Sequence, residues 1–264
     1  MTLARRLVAE FTGTGLLVAV VVGSGIAVTR LTTDGALRLL VCSLVTAMGL
    51  AVLIAVFAPA GGAQFNPVVT ASDWVQARGT PRGYGAGQAL AVIGCQVAGA
   101  IGGAALADTM FSQPVLAVSR THRGGAGVLL GEAVATAGLL LVIVTLARTG
   151  RSQHAAWAVG AWIGAAYWFT SSTSFANPAV TLARALTDSF SGIRPLDVPG
   201  FILAQLAGAA AATALFRWLL ARPLPAPARA RGEAQARPVG QPSSPPPAET
   251  PAARHFAPTH PGTP

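Results

Sequence analysis

The chain has 264 residues, 52% of them apolar and only 10% charged, a balance that a water-soluble domain rarely tolerates and that points to an integral membrane protein. Its formal net charge of +9 comes from Arg alone, with no Lys, and the arginines lie between apolar runs and in a tail, which fits membrane orientation and argues against a nucleic-acid partner. Cys42 and Cys95 lie inside apolar runs, and His122, His154, His255 and His260 lack ligand spacing, so no disulfide, metal site or cofactor is expected.

In chain order, Arg5 and Arg6 precede a first run of about 7–28, long enough to cross a bilayer. It lacks a small-residue cleavage site and is read as a retained helix. A second run, about 36–58, is expected to break at Pro59 and the Gly61-Gly62 pair. Next comes GAQFNPVVTASDW, with Asn66, Pro67 and Val68 at its centre. Asn is a favoured N-cap, and Pro suits the first helical position because its fixed φ matches the helix. The segment therefore predicts a helix that starts at Asn66 and is too brief to span. Further runs cover about 84–106, 128–146 and 156–169, with a polar connection over 108–127. The stretch TSSTSFA then leads into Asn177, Pro178 and Ala179, a second short helix start, before a last run over about 201–220. Beyond it the composition turns to Pro, Ala, Arg and Ser, which predicts a membrane domain over 1–222 and a disordered tail over 223–264.

The two parts repeat one another. Glu10 in AEFTGTGLLVAVVV corresponds to Glu132 in GEAVATAGLLLVIV, and Gln96 in CQVAGAIGGAA to Gln205 in AQLAGAAAATA, with an Asn-Pro start between each pair. Each half, about 1–110 and 127–222, holds three spans and one half-helix, and an odd number of spans makes the repeat inverted. Six spans put both termini on one side. Arg5, Arg6, Arg78, Arg82, Arg148, Arg151, Arg217 and Arg222 fall there, against Arg30, Arg38, Arg120, Arg123, Arg184 and Arg194 opposite. That bias makes the termini cytoplasmic.

Two half-helix N-termini meeting at mid-membrane would oppose cation entry, since each carries roughly half a positive charge. If each Asn oxygen caps its own helix, the NH₂ of Asn66 and Asn177 donates into a pore. Gly99 with Gly103, and Gly208 with Ala212, are small residues spaced for close helix packing. Trp74, Trp157, Trp162, Trp168 and Trp218 read as interface anchors or packing residues. No nucleophile–base pair or metal constellation suggests an enzyme. Inverted repeats with discontinuous helices also occur in secondary transporters, the alternative class, in which Glu10 and Glu132 would be proton-relay groups.

The paired Asn-Pro boxes, the Glu-bearing first and fourth spans and the Gln-x-x-Gly-Ala third and sixth spans resemble the aquaporin and glycerol-facilitator (major intrinsic protein) family. The resemblance covers about residues 5–220. It implies an all-α membrane fold of six helices and two re-entrant half-helices, a homotetramer in a lipid bilayer, here a bacterial inner membrane, and passive flow of water and small neutral solutes such as polyols. It also implies a scaffold role for Glu10 and Glu132 on the re-entrant backbone, as irregular chain at membrane depth requires. Three features depart from the family pattern: Val68 ends the first box in place of Ala, Gln64 stands where the family often has His, and Val180 takes the place of the filter Arg. Family spacing implies a filter of Thr46, Ala165, Ser174 and Val180, all small and uncharged, hence a wide filter that admits glycerol-like polyols, urea-like molecules or metalloid hydroxides. Asp73 and Arg184, each seven residues past its Asn and on the same helical face, are candidates for the inner and outer vestibules, or for holding neighbouring loops.

The tail composition cannot support a packed core. Truncation after Ala221 is expected to leave solute flux per folded channel unchanged in proteoliposomes, and a large loss with normal folding would place a gate in the tail.

Overall fold

A computed structural model describes residues 2–81 and 83–219. The expected tail lies outside the described residues. The regular elements of the described residues are helices: α1 (Leu3–Leu31), α2 (Gly35–Gly61), α3 (Pro67–Ala77), α4 (Ala86–Met110), α5 (Ala126–Arg148), α6 (Ala155–Phe169), α7 (Pro178–Arg184) and α8 (Val198–Leu219). Short 3₁₀ turns over Ser152–His154 and Pro195–Asp197 lead into α6 and α8.

Among the described residues, five helices are long and apolar enough to cross a bilayer: α1, α2, α4, α5 and the segment ending in α8. At 15 residues α6 is shorter, about 22 Å at 1.5 Å per residue, and a non-helical segment over 170–176 links it to α7. The second run does not break at Pro59. Helix α2 passes through that proline and ends on Gly62, whose φ of 90° is left-handed and whose N–H bonds the Ala58 carbonyl at 3.1 Å. Proline removes one donor and strains one turn, but in an apolar setting the continued helix still satisfies more backbone than a broken one would.

The halves pack as the repeat requires. α1 lies against α4 and α5 against α8, and both crossings are backbone-close. A Cβ on Gly99 would stand 2.1 Å from the Phe11 carbonyl oxygen, one on Gly103 would stand 2.0 Å from that of Gly15, and one on Gly208 would stand 2.2 Å from that of Ala133. Only glycine permits such approaches. Trp162 packs beneath Gly138 and donates its indole N–H to the Ala135 carbonyl at 2.9 Å, whereas Trp157 and Trp218 are exposed, as interface anchors would be.

Replacing Gly99 by Leu should therefore force α1 and α4 apart. The expected cost is about 1–3 kcal/mol or more, seen as a lower unfolding temperature in detergent with loss of flux. An unchanged unfolding temperature would contradict the close crossing.

Candidate functional site

The two Asn-Pro segments adopt matching backbones. Asn66 (φ −155°, ψ 118°) and Asn177 (φ −157°, ψ 114°) are the N-caps of α3, 11 residues long, and α7, 7 residues long, each followed by Pro. One and three residues before each Asn, the chain takes positive φ at Phe65 (49°) and Ala63 (45°), and at Ala176 (49°) and Ser174 (53°). The inverted repeat thus extends to individual dihedral angles.

Each re-entrant segment hangs on a buried carboxylate. Glu10 Oε1 accepts the Gln64 N–H at 2.8 Å, and Oε2 accepts those of Phe65 at 2.7 Å and of the Gln96 amide at 2.8 Å. In the second half Glu132 accepts the N–H groups of Phe175 (3.2 Å) and Ala176, and the Gln205 amide at 2.7 Å. Gln96 and Gln205 also donate to the Thr70 and Thr181 hydroxyls, at 2.9 and 2.8 Å, fastening each half-helix. Thr70 and Thr181 hold the same place, four past each Asn. The sequence analysis missed this pair, although their shared offset was a readable signal.

The Asn side chains meet across the centre. Asn66 Oδ1 accepts the Val68 N–H at 3.1 Å, and Asn177 Oδ1 accepts those of Ala179 at 3.0 Å and Val180 at 3.3 Å. Asn66 Nδ2 donates to the Ala176 carbonyl, and Asn177 Nδ2 to that of Phe65, both at 2.7 Å. The amides are therefore not wholly free toward a pore. Each has one N–H committed to the opposite segment and one left over.

Both Asn residues line a cavity of about 980 Å³ that extends from Arg6, Gln64 and Tyr84 at one end to Ser174 and Arg184 at the other. Asn66, Val69 and Asp73 line it from α3, and Asn177, Val180 and Arg184 from α7. Ser72, Gln76 and Ala77 line it as well, so α3 turns one face to the cavity. For that reason Pro67, Val68, Pro178 and Ala179 are buried behind the Asn residues and do not line the cavity; Val68 instead faces a groove toward α8.

At one end, Gln64 takes bonds from Arg6 at 3.0 Å and Thr70 at 2.8 Å, while its amide and the Tyr84 hydroxyl donate to Asp73, both at 3.0 Å. Asp73 thus lines the cavity and ties a loop at once. At the other end, the Arg184 guanidinium stacks on Phe175, 3.4 Å from the ring centre, and its Nε donates to the Ser191 carbonyl. One side chain thus both lines the cavity and bonds the loop carbonyl of Ser191. The loops outside are lashed by Arg120 to Asp188 at 2.7 Å and by Arg194 to Asp197 at 2.9 Å. The backbone N–H and guanidinium of Arg120 hold the Asp188 carboxyl below its usual range.

One expected filter residue is misplaced. Thr46, Ser174 and Val180 line the cavity, but Ala165 is on the exposed face of α6, and Ile163 and Tyr167 face inward instead. The Tyr167 hydroxyl lies 3.1 Å from that of Thr46. Counting twelve back from Asn177 assumes a fixed path through the extended segment, which here turns through positive φ at Thr173, Ser174 and Ala176. The filter region is therefore not uniformly small.

A membrane fold with two half-helices capped head to head over a lined cavity is that of a channel. The sequence matches the profile of the Major intrinsic protein family over residues 1–171 and 144–241, and the chain belongs to that family. It is similar to aquaglyceroporin AqpS of Rhizobium meliloti (strain 1021), 50% identical over 224 residues that cover 84% of this chain and 94% of that protein. Its fold matches the crystal structure of the aquaglyceroporin from Plasmodium falciparum at a TM-score of 0.62 and 17% identity, over 81% of this chain and 96% of the other. The protein is an integral membrane channel and not an enzyme.

Glu132→Ala would leave two buried backbone N–H groups without an acceptor, at about 1–3 kcal/mol each. The expected result is a large loss of folded protein, with Glu132→Gln intermediate because one carboxylate oxygen becomes an NH₂. For folded Glu132→Gln, water flux per molecule should keep the parent's pH profile. A changed profile would indicate the proton-relay role of a transporter.

Proposed function

We propose that the protein is a passive pore for water and small neutral solutes of glycerol size, with the conducting path through the cavity between Asn66 and Asn177. The observation that carries this reading is the reciprocal cap and cross-bond of the two Asn side chains at the point where the half-helix N-termini converge. Two converging positive helix ends disfavour cations, and the remaining amide N–H groups are donors for a neutral, oxygen-bearing solute. A coupled transporter would need a carboxylate at the midplane. Glu10 and Glu132 are both fully buried and occupied by backbone and Gln donors, away from the cavity wall.

The relative named as an aquaglyceroporin supports polyols as the solute class. Metalloid hydroxides, which are neutral and of similar size, belong in the same panel. The family resemblance and the arginine distribution also support a homotetramer in a bacterial inner membrane, with both termini cytoplasmic.

Osmotic swelling of proteoliposomes without an ion gradient tests the channel itself. The filter is tested by Val180→Arg, which adds a guanidinium to the lumen face of α7. The ratio of glycerol flux to water flux should fall by about tenfold, since the added fork narrows the opening while a single water can still accept from it. An unchanged ratio in a folded variant would remove Val180 from the conducting path.

A further inference from the structure

Val180 puts no charge on the lumen face of α7, whereas Arg184 on the same helix also lines the cavity. Arg184 is four residues on, so its Cα lies about 6 Å farther out with nearly the same direction toward the lumen. Side chains on a helix tilt back toward its N-terminus. The Arg184 guanidinium covers the ring of Phe175 at 3.4 Å from the centroid. Val180 and Arg184 both line the cavity, one turn apart on α7. Nε is used by the Ser191 carbonyl, while the residue as a whole is 3% exposed and lines the cavity. No ion pair neutralises Arg184 among the described residues. The buried Ser174 hydroxyl, on the wall of the same cavity, has no partner among the described residues.

We propose that Arg184 is the selectivity cation of this pore, reaching back along α7 into the space that the small Val180 leaves open, and that together with the Ser174 hydroxyl it sets both cation exclusion and solute choice. The proposal rests on the channel reading above. Val180 and Arg184 then act as a unit: a short side chain at one position is the condition for a long one at the other. Ser174, Thr46 and Tyr167 line the same cavity as Arg184, so a lumen that carries a guanidinium and several hydroxyls suits a neutral solute with several acceptor oxygens.

The test compares the parent with Arg184→Gln, Arg184→Lys and the double variant Val180→Arg/Arg184→Gln, each purified, checked for folding by unfolding temperature and reconstituted. Water flux, glycerol flux and the leak of protons and potassium are measured together. Gln can still donate to the Ser191 carbonyl but carries no charge, so proton and potassium leak relative to water should rise about tenfold. Lys keeps the charge and should leave the leak near the parent's. The double variant returns a guanidinium one turn inward and should restore a low leak. If Arg184→Gln folds and leaks no more than the parent, the proposal is wrong. If Gln and Lys variants both lose folding or all fluxes together, and Val180→Arg does not rescue, Arg184 only supports the loop and the proposal is overturned. Absence of water flux in the parent would instead defeat the channel reading, independently of Arg184.

Discussion

The structure depends on two fully buried carboxylates that bond the N–H groups of non-helical backbone from the side away from the cavity. In each half the chain leaves a spanning helix, runs inward through non-helical residues and starts a half-helix near the middle of the protein. Unpaired N–H groups at that depth cost several kcal/mol each. The path is also strained, because Ala63, Phe65, Thr173, Ser174 and Ala176 all take positive φ without being glycine, at about 1 kcal/mol or more apiece. Glu10 and Glu132 offset both terms by accepting two consecutive backbone N–H groups each, with a glutamine amide as a third donor.

That anchoring is possible only because the helices carrying the anchors touch. Glu10 is on α1 and Gln96 on α4, and the same crossing that puts Gly99 against the Phe11 carbonyl sets the carboxylate 2.8 Å from the amide. The second half repeats the device with Gly208 on Ala133 and Gln205 on Glu132. Small residues at the crossing are thus not passive filler. They fix the distance at which a buried acid meets its donor, and the donor in turn grips a threonine of the half-helix. Packing, polar satisfaction and pore geometry form one chain of dependence.

Most of this architecture was legible in the residues. The repeat of Glu, Asn-Pro and Gln was visible as identities at matching offsets, and the Asn-Pro starts follow from capping preferences that hold in any protein. Four features were not legible, each for a physical reason. Pro59 suggested a helix end, but in apolar surroundings helix continuation outweighs one missing bond. Ala165 was placed in the pore by counting, and a segment with three left-handed residues does not preserve a count. Tyr167, which lines the cavity in its stead, is an ordinary aromatic in an apolar run until its hydroxyl is seen beside Thr46. The side-chain path of Arg184 depends on tertiary contacts with Phe175 and Ser191, which are distant from any local pattern.

The cross-bonds between the Asn amides bear on how such a pore treats protons. An amide NH₂ has two hydrogens, and in both Asn residues one is held by the carbonyl of the opposite segment. Each therefore offers the lumen a single donor in a direction fixed by the other bond, instead of a rotor with two. A water between them accepts from both sides and has no lone pair left for a neighbouring water's proton. Its own hydrogens must point outward along the two arms of the cavity. The reciprocal bonds also make the two half-helix ends one rigid unit, since neither Asn can swing without breaking a bond to the other half. On the proposed function, the centre gains its directionality from the same contact that holds the two halves of the chain together.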